Sequence, residues 1–101
     1  MNVLADQQIP FAREAFQQFG NVQLVYGRDI TNQILQDIDI LLVRSITQVN
    51  EKLLTNTAVK FVGTATSGFD HVDEIYLQTN GIAYAYAPGS NARSVAEYVL
   101  S

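Results

Sequence analysis

Ile38-Asp39-Ile40-Leu41-Leu42-Val43 is apolar almost throughout and partly β-branched, the composition of a strand covered on both faces. Such a strand needs helices above and below it, so its neighbours should alternate strand with helix. Upstream, Val22-Gln23-Leu24-Val25-Tyr26 alternates and stops at Gly27, and Val3-Leu4-Ala5 stops at Asp6. Between them Phe11, Ala12, Ala15, Phe16 and Phe19 keep helical spacing until Gly20. Residues 31–36 are a short helix candidate with Thr31 as N-cap. Downstream, Asn50 can cap a helical turn holding Leu53 and Leu54, and Val59-Lys60-Phe61-Val62-Gly63 reads as a fourth strand. A helix is predicted over 70–79: Asp70 caps it, Asp73 sits three residues on, and Asn80-Gly81 ends it. Residues 82–87 form a fifth strand, stopped by Pro88-Gly89. A last helix starts at Asn91, with Val95, Tyr98 and Val99 on one face.

This alternation predicts right-handed crossovers and a parallel sheet with helices on both sides. The expected fold is a three-layer α/β domain of flavodoxin-like type, with a five-stranded parallel sheet in the order 2-1-3-4-5. The last helix reaches Leu100-Ser101 without Gly, Asn or a basic last turn. The expectation is a sequence cut inside a helix and taken from a longer protein.

Composition bounds what the chain can do. Its 101 residues are 48% hydrophobic and 16% charged, which is one globular domain. That length does not hold a substrate domain and a complete dinucleotide-binding domain together. With no Cys and one His, thiolate catalysis, disulfides and ordinary zinc sites are excluded. The net charge is −4 and the six basic residues form no run, so nucleic acid is not an expected partner. No apolar stretch approaches the roughly 20 residues of a membrane span. Residues 1–6 lack the basic start of a signal peptide, and a cytoplasmic location is expected.

In an open α/β sheet, ligands gather beyond the carboxyl ends of the strands. The competing loops begin at Asp6, Gly27, Arg44, Gly63 and Ala87. Arg44-Ser45-Ile46-Thr47 sets a guanidinium between hydroxyls at a strand end. It could hold a carboxylate or phosphate by charge-assisted hydrogen bonds, or Arg44 could simply pair with Asp6 or another acid at the sheet end. Gly63-Thr64-Ala65-Thr66-Ser67-Gly68-Phe69-Asp70 leads small and hydroxyl residues toward a helix start, where backbone N–H groups converge on anions. An ordinary Gly-rich turn would look the same. The stretch is neither a Walker A loop nor Gly-x-Gly-x-x-Gly. Asp70 reads as a cap rather than a base, and His71 as a surface residue of the first helical turn. With one His, no Ser-His-Asp arrangement can be placed. Tyr76, Tyr84, Tyr86 and Tyr98 read as packing residues.

Two functions that share the fold fail on residues. A phosphoacceptor domain needs an acidic pair after strand one and an Asp ending strand three, whereas Asp6 precedes Gln7 and strand three ends at Arg44. A flavodoxin needs a hydroxyl-rich loop after strand one, and Asp6-Gln7-Gln8-Ile9-Pro10 is not one.

The loops themselves resemble a known family. Ala5-Asp6-Gln7-Gln8-Ile9-Pro10-Phe11-Ala12-Arg13, Leu42-Val43-Arg44-Ser45-Ile46-Thr47-Gln48-Val49-Asn50, residues 60–73 and Ala87-Pro88-Gly89-Ser90-Asn91-Ala92 carry the likeness. The chain resembles the N-terminal, substrate-binding part of the D-2-hydroxyacid dehydrogenases, and within them the 4-phosphoerythronate dehydrogenase branch of pyridoxal 5′-phosphate (vitamin B6) biosynthesis. Val-Arg-Ser and Gly-x-Asp-x-Val-Asp belong to the wider family. Asp-x-x-Ile-Pro and Gly-Thr-Ala-Thr point to the branch. Gln7 and Ser90 depart from it, where Glu and Cys are usual.

The resemblance implies that Ser45 and Thr66 contact substrate. It makes Arg44 a phosphate or carboxylate partner, and places the backbone at Ser67 and Gly68 toward the carboxylate. It implies NAD as the parent's cofactor, a small phosphorylated 2-hydroxy acid as substrate, and a homodimeric parent. Residues 1–90 would be the substrate-binding domain. Residues 91–101 would start the hinge helix leading to an absent NAD-binding domain, which would carry the catalytic and cofactor-binding residues. The competing expectation is a small-anion-binding module of this fold without redox chemistry.

Overall fold

Ile40–Val43 is the third of five parallel strands, and all four of its residues are buried. The computed structural model describes residues 1–65, 70–86 and 92–100. The strands are β1 (Asn2–Asp6), β2 (Asn21–Val25), β3 (Ile40–Val43), β4 (Phe61–Thr64) and β5 (Ala83–Tyr86), in the order β2-β1-β3-β4-β5. This is the predicted order. Each strand lies within one or two residues of its predicted bounds at either end. Residues Ile38 and Asp39 lead into β3 rather than joining it, and Asp39 caps the sheet's edge by accepting from the Asn2 N–H at 2.8 Å.

The period of two sorts the core onto the two sheet faces. Leu4, Leu41, Val43 and Val62 point to one side, where Leu53 and Leu54 of α2 (Glu51–Leu54) and Leu77 of α3 (Glu74–Thr79) meet them. Val3, Ala5, Ile40 and Leu42 point to the other. There they pack on Ala12, Ala15 and Phe16 of α1 (Ala12–Phe16) and on Ala92, Val95 and Ala96 of α4 (Ala92–Leu100). Each large aliphatic or aromatic side chain so buried contributes about 1.5–3 kcal/mol.

Several local expectations are corrected. The helix at 31–36 is only a 3₁₀ turn, Gln33–Leu35. Thr31 does not cap it; instead the neighbouring Asn32 amide donates to the Leu53 and Thr55 carbonyls, tying the turn to α2. The first helix is five residues long and finishes as a 3₁₀ turn, Gln17–Phe19. Phe11 stands outside it in the left-handed region, φ 62°, with the Arg93 guanidinium 4.2 Å above its ring. Of the predicted apolar face of α4, Val95 and Val99 do pack toward the sheet, together with Ala92 and Ala96, whereas Tyr98 is exposed. Residues 87–91, which include the predicted end of strand five and the start of the last helix, lie outside the described residues.

The α3 helix starts at Glu74, not at Asp70. The reason is non-local. Val49 donates its N–H to the His71 carbonyl at 2.7 Å, and Asp73 donates its N–H to the Val49 carbonyl at 2.8 Å. This single parallel rung, Val49 with Val72, occupies backbone groups that a longer helix would need. Asp73 is therefore the cap, its carboxylate accepting from the Tyr76 N–H at 3.0 Å. The predicted stop holds: Gly81 takes φ 68°, Ile82 donates to the Leu77 carbonyl and Gly81 to that of Gln78, closing a Schellman motif.

Gly63 of β4 lies directly against Val95 of α4. A Cβ there would collide with Val95 and come within 2.9 Å of Leu42. Gly63→Ala should lift α4 from β4 and cost about 1–3 kcal/mol, the usual penalty of overpacking. Urea unfolding followed by circular dichroism measures it, and an unchanged midpoint would mean that α4 yields at no cost.

Candidate functional site

Asp6 ends β1 with its side chain wholly buried. One carboxylate oxygen accepts from the Gln8 N–H at 2.9 Å, and the other accepts from Arg44 Nε at 2.9 Å. Of the two readings of Arg44, the pairing with Asp6 is thus present. It does not consume the guanidinium. Arg44 uses only Nε, its side chain is 34% exposed, and among the described residues its two Nη groups have no partner. An Arg held by one edge keeps its remaining N–H groups in a fixed fork, suited to carboxylate or phosphate.

The turn after β2 completes the support. Gly27 is buried, and a Cβ on it would strike the Asp6 carboxylate and the Ile46 side chain. Glycine at this position is therefore a matter of space. The Thr47 hydroxyl donates to the Gly27 carbonyl at 3.3 Å, and the Thr47 N–H donates to the Arg44 carbonyl at 3.1 Å. The loops after β1, β2 and β3 are locked to one another around Asp6. They enclose an open cleft of about 370 Å³ lined by Gln8, Tyr26 to Asp29, Arg44 and Ile46.

The β3 and β4 loops leave as neighbours, as predicted. Val43 is in register with Thr64, and Ala65 donates its N–H to the Val43 carbonyl at 3.1 Å. Ser45 is exposed on the turn after β3. Thr66, Ser67 and Gly68 lie outside the described residues. Tyr26, Arg28 and Gln8 belong to the cleft without having been singled out from the sequence. The available signal was Gly27 at a strand end, followed directly by an Arg.

His71 is corrected from a surface residue to a buried one, only 5% exposed, with Nε2 2.9 Å from the Thr64 hydroxyl. Asp70 is exposed and caps nothing among the described residues. Burial pushes the His71 pKa below the usual 6.5, and the Asp70 charge offsets part of that. The sign follows from linkage. The unfolded chain binds the proton more readily, so the contribution of neutral His71 is complete above about pH 6.5 and is lost as pH falls through the lowered value. The chain has one His, so its ring resonance is unambiguous. An NMR titration should give a midpoint below 6.5; one at or above that value would show a solvated or ion-paired ring.

The tyrosines of β5 do pack. Tyr84 and Tyr86 meet edge to face with centroids 6.0 Å apart, and both hydroxyls donate to the Glu74 carboxylate, at 3.2 and 3.0 Å. Burial, then the bond to Glu74, raises the Tyr86 pKa. Among the described residues, no three His, Asp or Glu side chains are placed to hold a metal ion, and no helix is long and apolar enough to cross a membrane.

The family model described as D-isomer specific 2-hydroxyacid dehydrogenase, catalytic domain, matches residues 2–100. Two relatives named erythronate-4-phosphate dehydrogenase, from Klebsiella pneumoniae (strain 342) and Serratia proteamaculans (strain 568), are each 54% identical to this chain over 101 residues. The match covers 100% of this chain and 27% of each relative, so the chain spans about a quarter of the length of the curated relatives it matches. Among solved structures, the NAD+-bound 3-phosphoglycerate dehydrogenase of Entamoeba histolytica superposes with a TM-score of 0.73 at 24% identity, covering 99% of this chain and 37% of that one. The D-lactate dehydrogenase of Aquifex aeolicus, complexed with NAD and lactic acid, gives 0.70 at 23% identity, covering 99% and 32%. These structures share the fold.

Proposed function

Because the chain belongs to the D-isomer specific 2-hydroxyacid dehydrogenases, we propose that it is the substrate-binding part of an NAD-dependent 4-phosphoerythronate dehydrogenase. The parent oxidises the C2 hydroxyl of 4-phosphoerythronate to the 2-oxo acid, 2-oxo-3-hydroxy-4-phosphobutanoate, in vitamin B6 biosynthesis. The observation that carries this reading is the 54% identity along the entire chain to enzymes of that name. It also favours a redox enzyme over a simple anion-binding module.

The site's geometry supports the same reading. Arg44 is braced by the buried Asp6 with its outer N–H groups turned to no other described residue, as an anionic substrate requires. In this reading Ser45 and Thr66 contact the substrate, and the backbone at Ser67 and Gly68 receives its carboxylate. Residues 1–90 form the substrate domain and residues 91–101 begin the hinge. The parent is a cytoplasmic homodimer.

NAD does not fit these residues. No Gly-x-Gly-x-x-Gly stretch is present to cradle its pyrophosphate. The contribution of this chain is to bind and orient the acid. Two assays test the proposal. The 101-residue chain alone should reduce no NAD with 4-phosphoerythronate, and the full-length enzyme should do so. Turnover by the isolated chain, or none by the full-length enzyme, would reject it.

A further inference from the structure

We propose that Arg28, together with Arg44, forms the subsite for the phosphate end of the substrate. This deepens, and rests on, the function proposed above. Arg28 and Arg44 both line one cleft of about 370 Å³ at the carboxyl ends of β1, β2 and β3. Arg44 is held there by Asp6. Arg28 sits on the 3₁₀ turn Gly27–Asp29, exposed and without a partner among the described residues. Its backbone is not loose. Gly27 is wedged against Asp6 and Ile46, its carbonyl accepts from Thr47, and Asp29 donates its N–H to the Tyr26 carbonyl at 2.9 Å. Asp6 therefore fixes Arg44 directly and Arg28 through Gly27.

The strand order separates the two ends of the substrate. Adjacent strands lie about 4.8 Å apart. In the order β2-β1-β3-β4, the end of β4 lies one strand to one side of Arg44 and the Arg28 turn two strands to the other. A doubly anionic acid bound across β3 would lay its carboxylate toward the β4 side and its phosphate toward β2. A phosphate has three terminal oxygens, enough for two guanidinium forks, whereas a carboxylate saturates one. Asp29 also lines the cleft and opposes the anion, which supplies a control of opposite sign.

The test measures inorganic phosphate binding to the full-length enzyme by calorimetry, and inhibition by phosphate and by unphosphorylated D-erythronate. Arg28→Ala should weaken phosphate binding and raise the KM for 4-phosphoerythronate by about 10- to 100-fold, the loss of one charged hydrogen-bonding partner. Its inhibition by D-erythronate should change less than about twofold. Asp29→Asn should tighten phosphate by about 2- to 5-fold through removal of a nearby like charge. Equal loss of phosphate and erythronate binding in Arg28→Ala, no loss of either, or no phosphate binding by the wild type would overturn the assignment. The calorimetry needs no turnover, so an enzyme that binds phosphate through Arg28 but does not oxidise 4-phosphoerythronate would reject the proposed function and leave this subsite standing.

Discussion

Asp6→Ala should lower the stability of the domain by about 2–4 kcal/mol, and its Tm by about 10–25 °C. Asp6 is wholly buried and serves two donors from different loops, the Gln8 N–H and Arg44 Nε. Truncation strands both and leaves a void beside Gly27. Breaking a fully buried pair costs about 3–5 kcal/mol. Arg44 keeps a third of its side chain in water, so solvent recovers part of that loss. A domain of this size has only about 5–15 kcal/mol in total, so the effect is large. Asp6→Asn retains an acceptor for Gln8 and should lose about half as much. Thermal and urea melts of both variants decide the matter, and an Asp6→Ala protein as stable as wild type would show that water replaces the carboxylate without penalty.

Arg44→Ala should lower kcat/KM for 4-phosphoerythronate by about 10- to 100-fold in the full-length enzyme. A partly desolvated charged hydrogen bond is worth about 1.5–3 kcal/mol. The same substitution leaves Asp6 buried with one partner fewer, so some stability is lost as well. Arg44→Lys separates the two effects. Its ammonium keeps a charge near Asp6 but has no fork with which to grip Asp6 and an anion together. It should recover most of the melting temperature and little of the kcat/KM. Near-wild-type kcat/KM in a folded Arg44→Ala enzyme would remove Arg44 from the substrate site and leave it a purely structural partner of Asp6. Thr66→Val, which keeps shape and removes a hydroxyl, should cost less, roughly 5-fold.

The layers and strand order were legible because they follow from patterns local to each segment. Ile40 to Val43 has the partly β-branched, apolar composition of a strand covered on both faces, and most of the short helical stripes between strands are crossovers. What escaped is decided between segments distant in sequence. Nothing near His71 signals that Val49 will pair with Val72, yet that rung shortens α3, moves the cap from Asp70 to Asp73 and accompanies the burial of His71 against the Thr64 hydroxyl. Asn32 displaces Thr31 for the same kind of reason, since its partners are the Leu53 and Thr55 carbonyls. At the site, Arg44 was visible as a charge at a strand end, and Asp6 as its candidate partner. The Arg28 side of the cleft was not, because its meaning depends on Gly27 fitting against a carboxylate from another strand.

The placement of β1 between β2 and β3 has a consequence for how the chain is made. Every pairing in the sheet joins residues about 20 to 40 positions apart, because parallel neighbours cannot be closed by a hairpin. The apolar run Val3-Leu4-Ala5 leaves the ribosome before both of its neighbours, and the second of them, β3, follows nearly 40 residues later. At about 5–20 residues per second, that is a wait of seconds. Through that interval β1 has at most an edge strand for company, and its apolar side chains lack the β3 neighbours that flank them in the folded domain. The Asp6–Arg44 contact likewise has to wait for β3, so the ligand cleft is assembled only after the centre of the sheet has come together.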